Sequence, residues 1–197
     1  MKKVKALLYC TKKAPYLVKD DYTFKNKTIY YTHYKEPGSW GLFFNGKILA
    51  ECEVETEEIR LSAYSDYEDK IYLFDTPTLT NDELTQKSCL YNDELDDYLI
   101  NEKGYALHIS NLFIFENSVE LSDYNVDNSA DYGAFGWAFE ENERITPLKK
   151  APQNMMKVFD DNGNNYILIS VRPEWLCKIL NGDKIIEVRK KVLKEML

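Results

Sequence analysis

A chain of 197 residues with 44% hydrophobic and 29% charged side chains can bury a sizeable core and is not of disordered composition. No apolar run is long enough to span a bilayer, and the apolar stretch near the start is too short for a signal peptide, which excludes a helical membrane protein and places the chain in the cytoplasm. Four widely spaced cysteines (Cys10, Cys52, Cys89 and Cys177) form no CxxC pair and read as free thiols, and with only His33 and His108 to assist them no metal site is expected.

Residues 5–11, KALLYCT, predict a strand. Residues 12–37 are polar and rich in tyrosine, with a strand or an exposed aromatic loop at 28–34. Pro37-Gly38 is a turn, and Asn45-Gly46 is a hairpin signal because both residues tolerate positive φ. Residues 47–59 alternate apolar and acidic side chains, the pattern of a half-buried strand with one wet face. Residues 60–88 read as loop, with a short strand at 70–74. Asn92 is placed as the cap of a helix running to about residue 100, with Leu95, Tyr98 and Leu99 as its buried stripe and Gly104 after its end. Residues 105–115, YALHISNLFIF, predict a central strand, and 117–124 a short connecting turn. Residues 125–147 read mainly as a surface insertion, and 148–156 lead into a strand at 157–159.

Residues 160–191 are the most legible stretch. Asn162-Gly163 is a second hairpin signal, and 166–171 is an apolar strand. Pro173 suits the first position of a helix and Glu174 its first turn. Leu176, Ile179 and Leu180 form one apolar face, and Gly182 ends the helix in the left-handed conformation. Residues 184–189 are then a strand, which puts Glu187 and Arg189 on one face with Ile185 and leaves Lys184 at the strand mouth.

Charge is unevenly spread. Residues 1–35 hold nine Lys/Arg against two Asp/Glu, residues 166–197 seven against four, and residues 36–165 nine against 27. If the two basic ends meet, they form a basic face on an acidic body; otherwise they are two solvated lysine clusters.

The stretch resembles the opening of ASCH domains of the PUA-like superfamily. The resemblance rests on Ile169-Ser170-Val171-Arg172-Pro173-Glu174, then Gly182-Asp183-Lys184-Ile185-Ile186-Glu187-Val188-Arg189. Further segments resemble the family: Tyr9-Cys10-Thr11-Lys12, the acidic-alternating strand from Asn45, Ala106-Leu107-His108-Ile109-Ser110-Asn111-Leu112, and Lys150-Ala151-Pro152-Gln153. Their order is rotated, because the family's first block stands last here. A circular permutation within a single domain, 1–197, accounts for this, with 166–197 corresponding to the family's N-terminal part. A truncated second copy starting at Tyr166 is the rival. The resemblance implies an α+β fold: a PUA-like mixed β-barrel with short peripheral helices, in proteins often found in bacteria and their phages.

A carboxylate beside a guanidinium, as at Glu187 and Arg189, either fixes structure or binds a base edge or phosphate. Arg172 could reach a phosphate at the helix start, and Trp175 could stack on a base or fill the core. Gln153 could read a base edge or hold the turn after Pro152, and Thr11 and Lys12 end the first strand on the basic side. Trp40, Tyr30, Tyr31 and Tyr34 are weaker stacking candidates, and His108 reads as a structural histidine. Some family members hydrolyse N4-acetylcytidine with a Lys, a Thr three residues on and a distant Glu. Lys184 matches the Lys, but Glu187 stands where the Thr would be, so Lys184 and Glu187 are the only catalytic candidates.

Three readings follow. The first is an RNA- or nucleotide-binding protein recognising a base, with ligand contacts from Arg172, Trp175, Lys184, Glu187, Arg189, Thr11, Lys12 and Gln153 and with no cofactor. The second is a nucleoside or RNA hydrolase in the same place. The third is an acidic protein-interaction module using residues 36–165, Glu55, Glu57 and Glu58 among them. A membrane partner is not expected.

Overall fold

The computed structural model describes residues 2–11, 21–24, 27–30, 46–64, 72–99, 103–127, 145–147 and 155–197. Its elements in chain order are β1 (Val4–Cys10), β2 (Asp21–Phe24), β3 (Lys27–Tyr30), β4 (Ile48–Tyr64), β5 (Tyr72–Asp75), α1 (Asn81–Ser88), α2 (Asn92–Leu99), β6 (Gly104–Val119), β7 (Asn125–Asp127), β8 (Ile145–Pro147), β9 (Met155–Phe159), β10 (Asn165–Val171), α3 (Pro173–Asn181) and β11 (Ile186–Arg189). The fold is mixed α+β. The main strand path runs β11-β6-β4-β1-β10-β9-β7-β8, with β5 on β4, and it is open; β2 and β3 pair separately. Among the described residues no helix is long and apolar enough to cross a membrane.

Chain contacts divide the protein into two compact units. One contains residues 1–4, 52–112 and 177–197, the other residues 5–51 and 113–176, so β1, β4, β6 and α3 each contribute to both. Asn111 takes a positive φ of 49° just before β6 passes from one unit to the other. Its short amide side chain donates to Glu53 at 2.7 Å.

In the second unit β1 and β10 lie parallel, with Leu8 opposite Ile169, and β10 returns antiparallel on β9. The β9–β10 turn is closed by Asp160, whose carboxylate accepts from the backbone of Asn162 and Asn164, and Gly163 supplies the left-handed residue at φ 79°. Leu7, Tyr9, Val158, Tyr166 and Leu168 pack as this unit's core. β7 and β8 pair antiparallel, Asn125 opposite Pro147, so the expected insertion begins and ends on one short ladder; its residues 128–144 lie outside the described residues.

In the first unit β11 lies antiparallel on β6 and β5 antiparallel on β4. Leu84 of α1, Leu95 and Leu99 of α2, Ile59, Phe74, Ala106, Ile186 and Val188 form the core. The expected loop at 60–88 is corrected: β4 runs on to Tyr64, and α1 follows β5. Thr80 and Glu83 form a reciprocal capping box at the start of α1. The α2 stripe is narrower than expected, since Leu95 and Leu99 are buried but Tyr98 is 40% exposed. Its cap is Tyr91, whose N–H donates to Glu94 at 2.8 Å, and Asn92 is the first helical residue. The strand expected at 157–159 begins two residues earlier, at Met155.

Burial along β4 follows the expected alternation through Cys52 and Val54, then changes parity, so that Glu57 and Ile59 are buried. Glu57 is therefore not on the wet face. Further up the strand the wet face pairs with the N-terminal lysines: Lys3 meets Glu53 and Lys5 meets Glu51, each at 3.4 Å.

Candidate functional site: a buried Lys–Glu–Arg group

The candidate site lies within the first unit, where α1 ends and β11 begins. Gly182 terminates α3 at φ 84°, with its N–H donating to the Ile179 carbonyl at 3.0 Å. The N–H groups of Asp183 and Lys184 both return to the Lys178 carbonyl, at 2.9 and 3.1 Å. This turn fixes where the Lys184 side chain starts.

Across from it, α1 ends at Cys89, which adopts the left-handed conformation (φ 54°, ψ 34°). The last four carbonyls of a helix lack intrahelical donors. Here each finds one. Thr85 accepts from the Leu90 N–H at 3.2 Å and Gln86 from the Cys89 N–H at 3.3 Å. Lys87 accepts from the Ile185 N–H at 3.0 Å, and Ser88 from Lys184 Nζ at 2.6 Å. The Cys89 thiol also donates to the Asp183 carbonyl at 3.3 Å. Segment 183–185 is thus bonded to the end of α1 by three hydrogen bonds, one at each of its residues.

β11 then alternates. Ile186 and Val188 enter the core beside Ala106, and Glu187 and Arg189 take the other face, with Leu107 and Tyr105 as their partners on β6. Arg189 Nη2 lies 2.9 Å from Glu187 Oε1, and Lys184 Nζ lies 3.4 Å from Glu187 Oε2. Burial lowers the Lys184 pKa below the ordinary lysine value; the neighbouring Glu187 carboxylate opposes this without cancelling it. Lys184 is 2% exposed and Glu187 8%. Ile185 is exposed and stands before the strand.

Arg172, exposed at the start of α3, belongs to the second unit, where its carbonyl accepts from Trp175 and Leu176. Trp175 is half-buried there. Thr11, also in the second unit, donates its N–H to the Val171 carbonyl at 3.0 Å. Lys12 and Gln153 lie outside the described residues, as do Trp40, Tyr31 and Tyr34.

Sequence reasoning missed a second polar cluster in the first unit. Buried Glu57 has the Thr78 hydroxyl 2.7 and 2.9 Å from its two oxygens, and His108 Nε2 stands 3.3 Å from Oε2. Burial pushes the Glu57 pKa up. Hydrogen bonds from Thr76 and Thr78, together with the His108 imidazole, outweigh that and hold it below the ordinary value. The change of parity in β4 creates this cluster, and no local sequence signal announces it. An open cleft of about 510 Å³ in the same unit has Ile59, Tyr72 and Phe74 in its wall and the exposed Arg60–Glu58–Lys103 ion pairs on its rim.

None of the four cysteines is in a disulfide, three of them being buried and Cys89 half-buried, and among the described residues no group of His, Cys, Asp and Glu could hold a metal ion. Comparison with models of known families, with curated proteins and with solved structures finds no match in any of the three.

Proposed function

We propose that this chain binds RNA or a nucleotide and recognises a base through Glu187 and Arg189. The observation that carries the reading is this carboxylate–guanidinium pair, 2.9 Å apart on one face of β11 and backed by Lys184. A buried ion cluster adds little net stability compared with apolar side chains of similar volume, so the needs of the core do not explain it. Guanidinium and carboxylate groups do match the acceptors and donors of base edges, and a guanidinium also matches phosphate. The resemblance of residues 169–189 to ASCH domains supports the same reading, and with it a permuted PUA-like barrel in a single domain. The β9–β10 hairpin is in keeping with permutation, because its turn falls where the family's two ends would be joined.

The test is binding of short RNAs, DNAs and modified nucleosides across a salt series, with wild type beside a Glu187→Gln/Arg189→Met variant. Salt-sensitive binding by the wild type that the variant loses is the expected result. No binding of any member by the folded wild type refutes the reading.

A further inference from the structure

We propose that Lys184 is a positioning residue. Its ammonium closes the C-terminal end of α1 and holds Glu187 in place for Arg189, and it neither touches the ligand nor reacts. The inference deepens the base-recognition reading and rests on it only for the ligand that Lys184 is said not to meet.

The geometry comes first. Ser88 is fully buried, and its carbonyl is the last of the four that α1 cannot satisfy by itself. The backbone donors nearby are committed: Cys89 N–H to Gln86, Leu90 N–H to Thr85 and Ile185 N–H to Lys87. Lys184 Nζ, 2.6 Å away, fills the remaining place. A positive charge there also faces the negative end of the helix dipole.

The same ammonium lies 3.4 Å from Glu187 Oε2, while Glu187 Oε1 faces Arg189. Lys184 therefore acts on the pair from behind. At 2% exposure its stem and head are enclosed, whereas a lysine that meets a ligand or attacks an acyl carbon must be reachable from solvent in the free protein. To use Lys184 as a nucleophile, the protein would have to give up the Ser88 bond and open the end of α1.

The first test needs no ligand. The native protein is treated with an amine-acylating reagent, and each lysine is followed by peptide mass spectrometry. Lys184 is expected to react at least roughly tenfold more slowly than exposed Lys103 and Lys191, because reaction must wait for local opening. Reaction at the rate of those lysines overturns the proposal.

Hydrogen exchange supplies a second arm. Lys184→Met should speed exchange at the amides of Cys89, Leu90 and Ile185, and Arg189→Met should not. Unchanged exchange at that seam in the lysine variant also overturns the proposal.

Where an RNA from the panel binds, the salt slope separates the roles. Arg189→Met is expected to reduce the slope if the guanidinium meets phosphate, while Lys184→Met weakens binding at an unchanged slope. A bound RNA that changes Lys184 acylation directly, or a lost unit of slope in the lysine variant, counts against positioning. If no RNA binds, base recognition fails, and the acylation and exchange arms still decide what Lys184 does.

Discussion

Replacing Lys184 by methionine keeps an unbranched side chain of similar volume and removes only the ammonium. The Ser88 carbonyl then has no donor in a buried position, which costs about 1–3 kcal/mol. Glu187 also loses a cation, but Arg189 stays 2.9 Å away, so its cost falls below the ~3–5 kcal/mol of a fully stranded partner. Relief of the ammonium's desolvation works the other way, as the lowered pKa of Lys184 indicates. The losses at Ser88 and Glu187 together outweigh that relief, and we expect a net loss of about 2 kcal/mol. With a urea dependence of about 2 kcal/mol per molar, the unfolding midpoint should fall by about 1 M at unchanged slope. A Glu187→Gln variant and the double variant complete a thermodynamic cycle, in which two groups in contact should couple by about 1 kcal/mol. A Lys184→Met midpoint equal to or above that of the wild type would refute the reasoning, because it would mean that the desolvation of the ammonium outweighs both of its partners.

Thr80→Ala removes the hydroxyl half of the capping box and should destabilise α1 by about 1 kcal/mol, seen as a lower Tm and faster exchange in its first turn. Glu57 has a folded-state pKa below the ordinary value, so the unfolded chain binds more protons as the pH falls. Its contribution is complete above the ordinary glutamate value and is lost as the pH drops through the lowered one. Glu57→Gln should therefore flatten the acid limb of a stability–pH profile below about pH 4.5; an unchanged limb would show that Glu57 is not the group responsible. Gly104→Ala would put a Cβ 2.5 Å from Leu99 Cδ2 and 3.5 Å from Ile59 Cβ. Overpacking beside a fully buried leucine should cost about 1–3 kcal/mol in urea unfolding, and Leu99→Ala in the same chain should recover part of it.

The sequence carried what is decided locally. Hairpin asparagines and glycines, Pro173 at a helix start, Gly182 at its end and the alternation of residues 186–189 each act within one or two turns of chain, and β10 and α3 formed as read, while β11 begins at Ile186 rather than at Lys184. Helix α1 was missed: Thr80 and Glu83 stand three apart as a capping box does, but the weakly apolar face of the helix left it reading as loop among acidic residues. The same alternation placed Glu187 and Arg189 on one side of a strand, which explains why that part of the site could be anticipated.

Tertiary structure decided the rest, because those choices depend on groups far apart in sequence. Nothing near Ser88 says that its carbonyl will need a donor from 96 residues away, and nothing near Lys184 says that its ammonium will be buried to supply it. The parity change in β4 likewise turned Glu57 from a surface acid into a buried partner of Thr78 and His108. Alternation in a sequence fixes which residues share a face, but only the packing of helices and strands fixes which face meets water. A lysine at a strand mouth and a glutamate in an acidic strand therefore acquire their roles from what folds against them.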